Sequence, residues 1–193
     1  AIDAHREGVK SGMGRHVPTT LPEEATDFVD KAPTRSQTPK APFDTLMSLE
    51  APLDDQQLTS HAEAIDSLYA VYILDCTPPV DGESEKLRNR RRAVQTKVEA
   101  GLALPDDAPK ERAAQALNQR RRIYYVGSTN DVAKRVREHL TGTDKSGVNF
   151  TNTFSPQTLV KIQECDSRSH AESLEGAVAT RLTERTDSFA HSD

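Results

Sequence analysis

The chain has 193 residues, a formal net charge of −5, 35% hydrophobic residues and no tryptophan, which leaves room for one ordinary domain with appendages but not for a core over the whole length. No apolar run reaches the length of a membrane span or a signal-peptide core. The two cysteines, Cys76 and Cys165, are too far apart for a zinc spacing or a disulfide scaffold and fit a reducing intracellular setting, cytoplasmic or nuclear.

The net charge conceals an asymmetry. Residues 1–68 carry 6 basic and 12 acidic side chains, whereas residues 83–122 carry 11 basic and 6 acidic. A local basic field in an otherwise acidic chain says more about partners than the sum does. Residues 1–42 are rich in Pro, Thr, Ser and charge and cannot bury enough apolar surface to offset their ordering entropy. They read as a disordered or extended tail, with one helical turn at Pro22–Val29, where the proline and two glutamates suit a helix start. Residues 43–67, with Phe43, Leu46, Met47, Leu49, Leu53 and Leu58, read as a short helical docking segment.

Tyr69–Cys76 is the first strand. Tyr69, Val71 and Ile73 point one way and Ala70, Tyr72 and Leu74 the other, so both pleat faces are apolar and the strand belongs in the middle of a covered sheet. Pro78, Pro79 and Gly82 end it. Glu83–Glu99 and Ala108–Arg121 are rich in helix formers and are split by "GLALPDDAP"; they predict a helical hairpin. Ile123–Gly127 is a second strand. A helix capped at Thr129 or Asn130 runs to about Leu140, Gly142–Ser155 is a loop, Gln157–Glu164 a third strand and Ser169–Arg185 a last helix. Residues 187–193 read as a C-terminal tail.

The last two helices hold polar groups on or beside apolar faces. With a turn of about 100° per residue, Ala171, Leu174, Val178 and Leu182 form one stripe, and Glu175 falls inside it while Glu172 sits at its border. A carboxylate there costs free energy unless it is paired, hydrogen-bonded or bound to a metal. An ion pair with an arginine and a metal site both answer that need. In the preceding helix Val132, Val136 and Leu140 make the stripe, with Arg135 and His139 one turn apart on its flank. Taken singly, these are also an ordinary solvated arginine and a helix C-terminal histidine, and Tyr72 is also an ordinary core tyrosine.

Together they resemble a known family. "AVY" at Ala70–Tyr72 and "YVG" at Tyr125–Gly127 resemble the two motifs that name the GIY-YIG nuclease superfamily. "STNDVAKRVREHL" resembles its arginine-bearing segment, with Arg135 as the arginine, and "AESLEGAVATRL" its glutamate helix, with Glu175 as the metal ligand. The resemblance covers residues 68–186 and implies an α+β fold, a small three-stranded antiparallel sheet flanked by helices, with residues 83–122 inserted between strands 1 and 2. It implies a metal-dependent DNA endonuclease using Mg²⁺ or Mn²⁺, DNA as partner, no membrane and no nucleotide cofactor. Tyr72 would take part in deprotonating the attacking water, Tyr125 would orient it or share that role, Arg135 would bind the phosphate and His139 would assist proton transfer. Ala70 and Val71 replace the family's glycine and isoleucine, the insertion is longer than its usual connection, and nothing matches a separate DNA-recognition domain. The alternative is an inactive DNA-binding or adaptor module on the same fold. In the inserted hairpin Arg88, Arg90, Arg91 and Arg92 open the first helix and Arg120, Arg121 and Arg122 follow the second. An antiparallel pair would bring them together as a phosphate-binding patch, or they pair with Glu83, Glu85, Glu99 and Glu111 on a solvated hairpin.

Overall fold

The structure, a computed structural model, describes residues 43–49, 53–79, 81–104, 109–143 and 148–193. The tail expected over residues 1–42 lies outside them. In chain order the elements are β1 (Met47–Ser48), α1 (Asp55–Glu63), β2 (Tyr69–Asp75), α2 (Glu85–Glu99), α3 (Pro109–Asn118), β3 (Arg122–Thr129), α4 (Val132–Thr141), α5 (Val148–Thr151), β4 (Thr158–Cys165), α6 (Arg168–Arg185) and β5 (Ser188–His191).

The doubly apolar segment is central. β2 lies between β4 and β3, antiparallel to both, and Ala70 through Asp75 are all buried. Because successive residues point to opposite faces, it feeds two cores. Ala70, Tyr72 and Leu74 join Ile123, Tyr125, Leu58, Leu87, Val136 and Phe154 on one face. Val71 and Ile73 join Tyr124, Val126, Ala171, Ala179 and Leu182 of α6 on the other. The sheet thus separates α6 from the remaining helices.

The helix ends follow local chemistry. Asp131 caps α4 by accepting from the Lys134 N–H at 2.9 Å. Gly142 ends it in the left-handed region, φ 67°, and returns its N–H to Glu138 O. Ser167 caps α6 through the His170 N–H. α2 and α3 form the expected hairpin.

Three expectations need correction. The sheet is five-stranded and mixed, in the order β1-β4-β2-β3-β5, not three-stranded and antiparallel. The segment 43–67 is not wholly helical: Met47 and Ser48 pair with Leu159 and Thr158, the ladder extended by Leu46 N–H to Leu159 O at 2.9 Å and Leu49 N–H to Gln157 O at 2.8 Å. That pairing satisfies the outer edge of β4 and buries Met47 and Leu49. Residues 187–193 are not a tail, because Ser188–His191 runs parallel to β3 and closes its free edge, with Phe189 buried. β1 and β5 were invisible in the sequence since two and four residues are too few for an alternation to register.

Candidate active site

The site grows from the β2–β3 pair. Tyr72 lies opposite Gly127 in the register, and Tyr125, two residues from Gly127, projects from the same face. Tyr72 and Tyr125 are 0% and 1% exposed, with ring centroids 6.3 Å apart. A glycine is needed at 127 for space. A Cβ there would stand 2.6 Å from Tyr72 Cζ and 3.0 Å from Tyr125 Cε1, with the Tyr72 hydroxyl nearer still. The Tyr72 hydroxyl therefore lies directly beneath the Gly127 backbone.

α4 brings Arg135 and His139 to this hydroxyl. His139 Nε2 is 2.7 Å from Tyr72 Oη, and its Nδ1 is 3.0 Å from Thr151 Oγ1 on α5. Arg135 hydrogen-bonds Tyr72 and also holds Glu138 Oε2 at 3.2 Å. Since a guanidinium only donates, Tyr72 Oη accepts from Arg135 and gives its own proton to His139 Nε2. His139 then carries its proton on Nδ1, facing Thr151. The electrostatics agree. Burial, with Arg135 adding to it, pulls His139 down to about 4 and so keeps the imidazole neutral. Burial pushes both phenols above their ordinary value. At Tyr72 that outweighs Arg135, and at Tyr125 the neighbouring Tyr72 and Asp193 add to it. Neither tyrosine is a standing phenolate.

Glu175 approaches from α6, 8% exposed. It accepts from the Ser128 side chain and from the backbones of Ser128 and Asp193; burial foremost, and Asp193 in addition, push its carboxyl up. Among the described residues no cation pairs with it, so the arginine ion pair that would make it structural is not built. Glu172, one turn earlier, is exposed and bound to Arg168 at 2.8 Å. A cleft of about 510 Å³ collects Tyr125, Gly127, Ser128, Arg135, Glu175 and Asp193 on its walls. Of the five residues singled out in the sequence, Tyr125, Arg135 and Glu175 border this cleft, while Tyr72 and His139 stand behind it. Asp193 was missed, because it lies in a short polar stretch without any pattern; it accepts from the Tyr125 hydroxyl at 2.7 Å and faces His191 Nε2 at 3.5 Å. Hydrogen bonding from His191, then from Tyr125, holds its carboxyl below the usual range despite burial.

The donor set suits a hydrated hard cation. No group of three or more His, Cys, Asp or Glu side chains that could enclose a metal occurs among the described residues, which argues against a closed zinc site. One buried carboxylate that pairs with no cation among the described residues, beside a cleft wide enough for water, is what Mg²⁺ accepts when it keeps most of its waters. Glu175 is the residue that would hold it.

The hairpin arginines are arranged otherwise. Arg90 pairs with Glu111 at 2.5 Å, Arg91 with Glu83 at 3.0 Å and with Asn118 Oδ1 at 2.9 Å, and Arg121 with Asp187 at 3.5 Å. Arg122 is bound to the buried Asp75. None of them lines the cleft. Arg92 is exposed and makes no such pair among the described residues. A phosphate-binding role for Arg90, Arg91, Arg121 and Arg122 would require breaking these pairs; of the two readings drawn from the sequence, the pairs of Arg90 with Glu111 and Arg91 with Glu83 accord with the solvated, internally paired hairpin.

The geometry can be set beside known proteins. A family model described as the GIY-YIG catalytic domain matches residues 115–185, the stretch that holds Tyr125, Arg135, His139 and Glu175. The match begins after most of the insertion and so does not include the Tyr72 strand. No curated protein and no solved structure matches the chain. No helix among the described residues is long and apolar enough to cross a membrane.

Proposed function

We propose, from the match of residues 115–185 to the GIY-YIG catalytic domain, that this chain is a GIY-YIG nuclease and a divalent-metal-dependent DNA endonuclease hydrolysing phosphodiester bonds in the Glu175 cleft. The observation that carries the reading is Glu175 itself: a buried carboxylate with which no cation pairs among the described residues, facing the same cleft as Arg135 and Tyr125. Hydrogen bonds from Ser128 and the Asp193 backbone offset part of the cost of that burial, and a cation in the cleft would balance the charge itself.

Mg²⁺ or Mn²⁺ bound to Glu175 supplies stabilisation of charge on the scissile phosphate and its leaving oxygen. The chain's own residues do the rest. Arg135 at the cleft wall donates to the phosphate and offsets its growing charge. Tyr125 orients the attacking water. Tyr72, beneath Gly127, takes one proton from that water while its own passes to His139 Nε2, with the imidazole held in the accepting tautomer by Thr151. The raised phenol pKa values favour this concerted shuttle over a resident phenolate. His139 is neutral at physiological pH with Nε2 2.7 Å from the phenol oxygen, placed to take the proton, while burial and Arg135 disfavour the imidazolium and so make it a transient carrier.

Supercoiled plasmid incubated with Mg²⁺, or with EDTA, tests the reading. Conversion to nicked or linear DNA with Mg²⁺ alone is expected, and its loss in Glu175→Gln but not Glu172→Gln. Binding without cleavage by the wild-type chain would point instead to an inactive module.

A further inference from the structure

β5 does more than close an edge. Its parallel register sets His191 beside Tyr125, and the chain then turns so that Asp193 reaches the Tyr125 hydroxyl at 2.7 Å. The His191 ring is fixed by Phe150, with centroids 4.6 Å apart, and by Tyr125 at 6.2 Å, and its Nε2 faces Asp193 Oδ1 at 3.5 Å. The carboxylate is thus held between an imidazole and a phenol, one oxygen toward each. An ionised carboxylate only accepts, so the direction of the phenol bond follows: Tyr125 donates. Its single proton is committed to Asp193, and the lone pairs of Oη are left for the cleft.

We propose that Asp193, steadied by His191, is a positioning residue that fixes the Tyr125 hydroxyl as a hydrogen-bond acceptor toward the attacking water. This rests on the nuclease reading above. With its proton held by Asp193, Tyr125 receives a hydrogen from the water and fixes where the water oxygen points, leaving the other hydrogen for Tyr72. Without Asp193, the phenol rotates and presents its own proton to the water, which turns the water's lone pair away from phosphorus. A water misdirected on the scale of an ångström costs about 10²-fold in rate. A simpler role also exists, in which Asp193 merely pins the end of β5, and the two give different outcomes.

The test is a double-mutant cycle on the full chain with plasmid DNA and Mg²⁺, comparing Asp193→Ala, Asp193→Asn, Tyr125→Phe and Tyr125→Phe/Asp193→Ala. Expected are a fall in kcat of about 10- to 100-fold for Asp193→Ala with KM little changed, substantial rescue by Asp193→Asn, whose amide oxygen still accepts, and no further loss when Asp193→Ala is added to Tyr125→Phe. Independent, multiplying losses, or a fall in melting temperature that accounts for the activity lost, would overturn the proposal in favour of a pin. If Asp193→Ala does not fold, Asp193→Ser, too short to reach the phenol, takes its place in the cycle. The bond itself is read without turnover. The Raman Fermi doublet of Tyr125, isolated by subtracting the Tyr125→Phe spectrum, is expected to show a strong donor in the wild type and to lose that signature in Asp193→Ala. If the donor signature is present but the wild type cuts no DNA, the nuclease reading has failed and takes the water-orienting role with it. If cutting is normal and the signature absent, the role of Asp193 alone is wrong.

Discussion

Gly127→Ala is the most direct perturbation of the proposed shuttle, since it adds one methyl group against the Tyr72 hydroxyl and removes no functional atom. The added Cβ would lie 2.6 Å from Tyr72 Cζ, about 0.8 Å inside the 3.4 Å at which such atoms ordinarily meet, and 3.0 Å from Tyr125 Cε1. Neither ring has room to yield, because both are essentially unexposed and Tyr72 Oη is held by His139 at 2.7 Å. Overpacking of this kind costs about 1–3 kcal/mol, which for a chain of this size lowers Tm by roughly 2–4 °C per kcal/mol. The kinetic effect should be larger in proportion. Moving the Tyr72 hydroxyl by most of an ångström relative to Arg135 and His139 is expected to lower the cleavage rate about 10²-fold. Thermal melting and single-turnover plasmid cleavage measure the two. A chain that melts and cleaves as the wild type does would mean that the phenols are not where the shuttle needs them. Loss of Tm without loss of rate would remove Tyr72 from the chemistry.

Glu175→Gln should abolish cleavage and the rise of Tm on adding Mg²⁺, while the metal-free Tm, followed in EDTA, stays level or increases because no charge is held in a desolvated place; a large fall in the metal-free Tm would make Glu175 structural. His139 is held near 4 in the folded state against 6.5 as its ordinary value, so the unfolded chain binds more protons within that window and stability falls as pH drops through it. Melting curves from pH 7 to pH 4 should therefore slope less in His139→Gln than in the wild type, and equal slopes would refute the assignment. Asp75→Ala, which takes the carboxylate away from the Arg122 guanidinium where the two side chains are 6% and 15% exposed, should be destabilising in chemical denaturation by up to about 3–5 kcal/mol. Arg90→Gln together with Arg91→Gln should lower Tm slightly, as expected of half-exposed pairs, and leave DNA affinity and its salt slope unchanged; a flattened slope would restore the hairpin as a DNA contact.

How far the sequence could be read depended on how many residues carried each signal. β2, with six consecutive buried positions, and the helices α2, α3, α4 and α6 announce themselves by composition, capping and period. Tyr72, Tyr125, Arg135, His139 and Glu175 were legible as a set, each weak alone. β1 and β5 were not legible, because what stabilises them is the unpaired edge of another strand, a property of the assembled sheet rather than of "MS" or "SFAH".

The same limit explains the two groups of charge that the sequence left open. Seven hairpin arginines look like one patch in the sequence, but Arg121 and Arg122 have their partners in Asp187 and Asp75, outside the hairpin and reached only once β3 is in place. Glu175 stood open between an ion pair and a metal because its helix position says only that it is buried. What bears on that choice is the set of neighbours the sheet supplies: Ser128 from β3 and the Asp193 backbone beyond β5 as hydrogen-bond donors, and among the described residues no cation paired with it. β5 therefore matters to function as much as to fold. It closes the edge of β3 beside Tyr125, and it carries a carboxylate to a phenol that no periodic pattern could have connected to it.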